Sequence, residues 1–176
     1  MRKIITFVLL ISVSLIPHLL EAQNSPIKFT DILLKLENIL EDLSSNSNQF
    51  ENILRTMNTS GKANQSYTQQ KNIFLSSVLA ITTISAVCEY ERDLMTLFID
   101  LREKNRQKFY DVRIESLEIA VKQINTMYKQ IQINYTILPQ NYFEAPLVRK
   151  ERLTIQSTVD LLNHMIELLK SVNRKQ

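Results

Sequence analysis

The sequence predicts an all-α protein, an elongated antiparallel bundle of about four long helices. Gly61 is the only glycine among 176 residues, tryptophan is absent, and only four prolines occur. Sheets need many glycine-containing turns, whereas glycine and proline are unfavourable inside helices. Apolar residues also recur at alternating steps of three and four, which is the spacing of helices that pack along a narrow seam.

The N-terminal residues have the order of a secretory signal peptide. Arg2 and Lys3 form a short positive region, residues 4–20 are mostly apolar, and Ala22 lies at the expected cleavage position. This order of charged, apolar and small residues directs export. We therefore expect a signal peptide over residues 1–22 and a single helical bundle domain over residues 23–176. An uncleaved N-terminal anchor is the alternative.

The mature chain is nearly neutral. The full chain has 21 basic and 18 acidic residues, so loss of Arg2, Lys3 and Glu21 leaves 19 and 17. Such a balance gives little general attraction to nucleic acid or to anionic membranes, and we expect no nucleic-acid partner.

The single cysteine, Cys88, cannot form an internal disulfide, so packing must hold the fold together. It lies in an apolar stretch and is expected to be a small buried side chain. Because small secreted animal domains usually contain several disulfides, this count favours a bacterial envelope protein.

The first helix is predicted to begin near Ser25 and Pro26, with serine as the cap and proline in the first turn. Its apolar positions run along residues 29–57. The poor helix formers at residues 44–48 predict a kink or a break. The helix should end before Gly61.

The second helix is predicted to open at Ser66, where Gln69 completes a capping-box pattern. Residues 73–88 are apolar around most of the helix circumference and are interrupted only by small side chains. Such a helix is normally the most buried member of its bundle, with Ala80 in the centre. A membrane-inserting or oligomer-forming helix is the alternative, although 16 residues are fewer than the about 20 that span a bilayer.

The third helix is predicted from an apolar stripe between Ile114 and Tyr135. This stripe is out of phase with that of the second helix, which predicts a turn near Asn105. The alternative merges both into one bent helix over residues 67–135, which would make the molecule a long rod.

The fourth helix is predicted to follow a loop at residues 140–145, with Pro146 in its first turn. Short connections after the first and third helices favour antiparallel neighbours. The inner face should consist of the apolar positions at helical spacing: Val148, Ile155, Val159, Leu162, Ile166 and Leu169, widened by Leu153, Leu161, Met165, Leu168 and Val172.

No residue pattern indicates catalysis, a metal or a cofactor, and we expect no enzyme. His164 is the only histidine of the mature chain, without a nucleophile motif near it, and should be a surface residue paired with Asp160 or Glu167. Glu-x-x-His pairs of dinuclear iron bundles are absent, and Glu89 and Glu91 are expected to be solvated. A single glycine cannot form a Gly-rich phosphate loop.

Basic residues are the only candidate site residues, as a docking patch for an acidic partner or a lipid head group. The alternative is exposed helix ends whose charge is balanced by nearby acidic residues, among them Asp100, Asp111 and Glu151. The basic residues are Arg102, Lys104, Arg106, Lys108 and Arg113 around the second turn, and Arg149, Lys150 and Arg152 at the start of the fourth helix.

A signal peptide followed by long amphipathic helices resembles the exported helical components of bacterial conjugation and type IV secretion systems. The segment from Ile81 to Glu91, Ile-Thr-Thr-Ile-Ser-Ala-Val-Cys-Glu-Tyr-Glu, and the later helices have that character. The resemblance is architectural and implies no site residues. It favours a non-enzymatic protein of the periplasm or cell envelope, whose helices dock onto other envelope proteins or onto a second copy.

Two other functions remain open. A secreted four-helix effector or signalling protein would act on a receptor outside the cell, and glycans at the sequons of Asn58, Asn64 or Asn134 would support it. A membrane-inserting protein would use residues 73–88, with membrane contact but no span after signal cleavage.

Overall fold

The computed structural model describes the backbone of residues 2–59, 65–137 and 145–174, and the side chains of residues 29–58, 66–102, 105–137 and 146–174. All secondary structure in these ranges is helical, which confirms the predicted all-α class. Four long helices and two short turns make up the described chain: α1 (Arg2–Thr59), α2 (Gln65–Asp100), α3 (Glu103–Arg106), a 3-10 turn (Gln107–Phe109), α4 (Tyr110–Tyr135) and α5 (Ala145–Asn173).

The four long helices pack as a bundle with antiparallel neighbours. Contacts join α1 with α2, α2 with α4, α4 with α5, and α5 with α1. Phe29 packs on Phe98 and Phe50 packs on Phe74, so the order along α1 is reversed along α2. The order along α4 is reversed along α5 in the same way. Tyr135 contacts Glu151, Glu118 contacts Lys170, and Asp111 contacts Asn173.

Helix α1 differs from the predicted first helix at both of its expected boundaries. It is a single helix from Arg2, so the prediction that it begins at Ser25 and Pro26 is wrong. The signal peptide prediction, residues 1–22, falls on residues whose side chains lie outside the described ones, and it stays a prediction.

The predicted kink at residues 44–48 is also wrong, because α1 continues through it. Asn46 is fully buried there, and its amide nitrogen donates a hydrogen bond to Thr154 Oγ1 of α5 at 3.3 Å. Helix propensities differ by less than about 1 kcal/mol per residue, so a buried tertiary contact outweighs them.

The second and third predicted helices are separate, as the change of phase indicates. The chain leaves the helix at Leu101 and Arg102, before α3 and the 3-10 turn. Phe98 and Tyr110, on either side of this turn, meet edge to face with ring centroids 5.2 Å apart. Phe29 covers the other side of Phe98 at 6.3 Å, so three aromatic rings fix this end of the bundle.

The prediction that residues 73–88 form the most buried helix is wrong. The buried positions of α2 span an arc of about 120°, whereas those of α5 span about 160° and include several adjacent pairs, such as Leu161 and Leu162. Ala80 is only partly buried, and Leu153, expected on the inner face of α5, is exposed. Both helices contact α1 and α4, so α5 presents a wider face to the same two neighbours.

Candidate docking surface

Helix α2 has apolar side chains on two opposite faces. The inner face is the buried seam, with steps of three and four: Phe74, Ser77, Ile81, Ile84, Cys88, Glu91, Met95 and Phe98. The outer face is exposed and is here called the outer stripe: Leu75, Leu79, Thr82, Ala86, Tyr90 and Leu97. At 3.6 residues per turn, these six residues lie within an arc of about 80°, opposite the buried seam.

The outer stripe is exposed along its whole length. Leu79 is 61%, Tyr90 60% and Leu97 64% exposed, and Leu75 is 45% exposed. From Leu75 to Leu97 the stripe extends over about 33 Å of helix. Scattered apolar residues are normal on a protein surface, whereas apolar residues aligned along one helix face, here interrupted by Asp93, indicate an interaction site.

Other exposed apolar residues are more widely spaced: on α4, Val112, Ile119 and Ile133 follow one another at seven and fourteen residues. Leu153 on α5 is 60% exposed, and Arg149, Gln156 and Ser157 lie about one turn from it. The outer stripe was missed from the sequence because a helix with two apolar faces and a helix buried all round have the same composition. The spacing within residues 75–97 is the signal that distinguishes them.

The structure does not bring the predicted basic residues together. Arg102, Lys108 and Arg106 lie at the turn between α2 and α4, and the side chain of Lys104 lies outside the described ones. The other group, Arg149, Lys150 and Arg152, opens α5 at the opposite end of the bundle. The length of α4, about 38 Å, separates the two groups. Asp42 partly compensates the charge of Lys150, because Lys150 Nζ lies 3.5 Å from Asp42 Oδ1.

Arg113, also predicted in the basic patch, is instead buried. Its Nη2 lies 2.8 Å from Glu91 Oε2 of α2, and the two side chains are 6% and 2% exposed. Ser116 Oγ donates a hydrogen bond to the other carboxylate oxygen at 2.8 Å. The prediction that Glu91 is solvated is therefore wrong. Both residues occupy seam positions, where the ion pair fixes α2 against α4 in one register.

A second buried carboxylate, Glu151 of α5, has no cationic partner among the described residues. It accepts a hydrogen bond from the hydroxyl of Tyr135, which is also hydrogen-bonded to Ser77. Burial raises the pKa of Glu151 to about 7, although the Tyr135 hydrogen bond opposes this. Burial and the neighbouring carboxylate also raise the pKa of Tyr135. The expectation that Glu151 balances charge at an exposed helix end is wrong.

Residue types with catalytic chemistry are not assembled within the described part of the chain. His164 is exposed, and the two carboxylates expected to pair with it contact other residues: Asp160 contacts Gln156, and Glu167 contacts Lys170. The described residues contain no group of three His, Cys, Asp or Glu side chains arranged to hold a metal. An open depression on α1 is lined by Leu40, Glu41, Ser44, Ser45, Asn48 and Gln49, so no second helix encloses it.

Cys88 is fully buried in the α2 seam, which confirms the sequence prediction for this residue. Burial, with smaller contributions from Glu91 and Glu89, raises its pKa to about 12. The thiol therefore stays protonated at neutral pH and behaves as a small apolar side chain.

Two of the three sequons are described. Asn58 is exposed near the end of α1. Asn134 is partly buried, its amide nitrogen donates to Ser76 Oγ at 2.9 Å, and its oxygen accepts from Gln130 at 3.2 Å. A glycan on Asn134 would leave its Nδ2 one hydrogen to donate and would need space at a partly buried site. Asn64 lies outside the described residues.

The segment Ser66–Asp100 of α2 is long and apolar enough to cross a membrane, and one third of its apolar window is buried in the bundle. Core helices of soluble proteins have the same length and apolar composition. Neither a protein-family model, nor a curated protein, nor a solved structure matches the chain. The outer stripe is thus the described surface with the clearest capacity to bind a partner.

Proposed function

We propose that this chain is a non-enzymatic docking protein of the cell envelope, and that it binds a helix of a second chain, either another envelope protein or another copy, through the outer stripe of α2. One observation carries the proposal. The stripe presents exposed apolar side chains at helix-packing spacing over about 33 Å, opposite the seam that holds α2 in its own bundle.

The energetics of the stripe support a protein partner. Burying one Leu side chain contributes about 1.5–3 kcal/mol, and the stripe has three, together with Tyr90. Their sum is large enough to offset much of the entropy lost on association. The small residues Thr82 and Ala86 in the middle permit close approach of a second helix.

Export and membership of a transfer or secretion apparatus are further parts of this proposal. The signal-peptide pattern of residues 1–22 supports export, and the architectural resemblance supports the apparatus. The basic residues at the two ends of the bundle would act as secondary contacts, because each group is too far from the other to form one patch.

Photo-cross-linking in the native host tests the proposal. A benzoylphenylalanine residue is introduced at Leu79 or Tyr90, with Leu153 on α5 as the matched exposed control. We expect adducts from positions 79 and 90 and none from 153. Mass spectrometry of the adducts identifies the partner, and fixed recovery of other envelope proteins would support the apparatus. Equal labelling from all three positions, or from none, would refute docking through the stripe.

Lipid contact through the same face is a second candidate, favoured by the apolar window of α2. Flotation with vesicles of phosphatidylethanolamine and phosphatidylglycerol distinguishes it. Under this candidate the chain floats with the vesicles, Leu79→Asp abolishes flotation, and Leu153→Asp does not. A chain that stays at the bottom of the gradient while it forms protein adducts at position 79 is a protein-docking chain.

A further inference from the structure

We propose that the helix bound by the outer stripe is α2 of a second copy, paired antiparallel about a two-fold axis at Ala86. This inference rests on the proposed function of the stripe as a docking surface. It specifies the partner, the direction and the register of the helix pair.

The positions of the stripe are symmetric about Ala86. Leu75 and Leu97 each lie eleven residues from it, and Thr82 and Tyr90 each lie four residues from it. In an antiparallel pair, Leu75 therefore packs against Leu97 of the second copy at both ends, and Thr82 packs against Tyr90. A closed two-fold dimer requires such a self-complementary surface.

Charges at the ends of the stripe favour the antiparallel direction. Lys71 lies fifteen residues before Ala86 and Asp100 fourteen residues after it, and both lie at the edge of the same helix face. Neither forms an ion pair within the described part of the chain. The antiparallel pair places Lys71 level with Asp100 of the second copy, twice. A parallel pair would place like charges together, which is unfavourable.

The middle of the stripe can be buried without unpaired polar groups. The hydroxyl of Thr82 donates to Val78 O at 2.9 Å, and that of Thr83 donates to Leu79 O at 2.8 Å. These threonines therefore present their methyl groups to a neighbour while their donors stay satisfied. Ala86 follows these threonines, and its small side chain allows the two helices to approach closely at the two-fold axis.

Asp93 is the one charged residue within the stripe, seven residues from Ala86 and thus level with Leu79 of the second copy. Arg92 compensates it, since Nε and Nη2 lie 2.9 and 2.8 Å from Asp93 Oδ1. The pair carries no net charge, which lowers the cost of placing Asp93 opposite Leu79 of the second copy.

Cysteine cross-linking on the purified full chain tests the pairing. The native Cys88 is fully buried, so a new exposed cysteine is the reactive one. Ala86→Cys is expected to give covalent dimers with a short bismaleimide, because the axis brings the two copies of position 86 together. Leu79→Cys alone is expected to give no covalent dimers, since the two copies of position 79 lie about 21 Å apart along the direction of the paired helices. A mixture of Leu79→Cys and Asp93→Cys chains should give dimers, and Leu153→Cys sets the collision background.

The outcomes separate this inference from the function on which it rests. Dimers from Ala86→Cys and from Leu79→Cys alone would mean a parallel pair and overturn the antiparallel register. A monomer in multi-angle light scattering, with background cross-linking at every position, would overturn self-pairing. If the chain is such a monomer but photo-adducts with another protein form at position 79, the docking function holds without self-pairing. If no photo-adducts form either, both self-pairing and the docking function are refuted.

A charge exchange gives an independent test that does not depend on cross-linking geometry. Lys71→Glu is expected to weaken dimerisation about tenfold, because two attractive pairs become repulsive. The double variant Lys71→Glu, Asp100→Lys should restore it, as followed by sedimentation equilibrium at low salt. Equal weakening by the single and double variants would show that these charges do not face each other.

Discussion

Helices α2 and α5 contain similar apolar residues but use them differently. α5 directs its apolar side chains to one wide face, where neighbouring residues such as Leu161 and Leu162 are both buried. α2 divides its apolar side chains between a buried seam and the exposed outer stripe. The difference teaches that apolar composition alone does not determine burial: each helix contacts two neighbours, but those of α2 cover only one side of it.

The buried carboxylates of the two helices differ as well. Glu91 of α2 is compensated by the guanidinium of Arg113, whereas Glu151 of α5 has only the Tyr135 hydroxyl on one oxygen, and its other oxygen has no described partner. The buried charge of the α2 seam is therefore paired with an opposite charge. In α5 the protonated form of the carboxyl group is favoured.

The largest effect is expected from breaking the α2 ion pair. Arg113→Met should lower the free energy of unfolding by about 3–5 kcal/mol, because the Glu91 carboxylate is left buried without a counter-charge. The double variant Arg113→Met, Glu91→Leu should recover most of this loss. Urea denaturation followed by circular dichroism measures both. A single variant as stable as the parent chain would place this pair in water rather than in the seam.

The same substitution should have unequal effects on the two helices. Leu162→Ala removes a fully buried side chain of α5 and should cost about 2–5 kcal/mol. Leu79→Ala in the outer stripe should change stability by no more than about 0.5 kcal/mol. Both are measured by urea denaturation at low protein concentration, where a self-associated form does not contribute. Similar losses for both would mean that α2 is buried all round.

The Glu151 carboxyl group should make stability depend on pH. Its pKa is about 7 in the folded chain and 4.5 ordinarily, so its stabilising contribution is complete below about pH 4.5 and is lost as the pH rises through 7. Glu151→Gln, which imitates the protonated form, should match the parent at pH 4.5. At pH 8 it should be more stable by up to about 3 kcal/mol. Urea midpoints at the two pH values measure this, with Glu167→Gln on the exposed face as the control. If the stability difference between Glu151→Gln and the parent chain is the same at pH 4.5 and at pH 8, Glu151 is not a buried, uncompensated carboxylate.

Local pattern determined much of the fold in advance. The scarcity of glycine and proline and the steps of three and four predict the helical class. The Ser66 and Pro146 signals locate the starts of α2 and α5 to within one residue of Gln65 and Ala145. The phase change near Asn105 predicts the separation of α2 from α4. These features follow from the chain itself, because helix propensity and periodicity depend on neighbours in sequence.

Tertiary structure alone decided which polar residues are inside. Asn46, Glu91, Arg113 and Glu151 all resemble surface residues in the sequence, and each is buried against a residue of another helix. For Asn46 that contact also keeps α1 continuous through a stretch of poor helix formers. The burial of such groups depends on partners 16 to 108 residues away, which the spacing of neighbouring residues does not reveal.

For the candidate docking surface, too, the sequence determined one part and only the tertiary structure decided the other. The sequence by itself determined that residues 73–88 are apolar on most sides, and it thereby identified α2 as the unusual helix. Only the packing of α1 and α4 against one side of α2 decided that Leu79, Tyr90 and Leu97 remain exposed. The physical reason is that a helix offers its whole circumference for burial, while the bundle covers only the sectors that its neighbours reach.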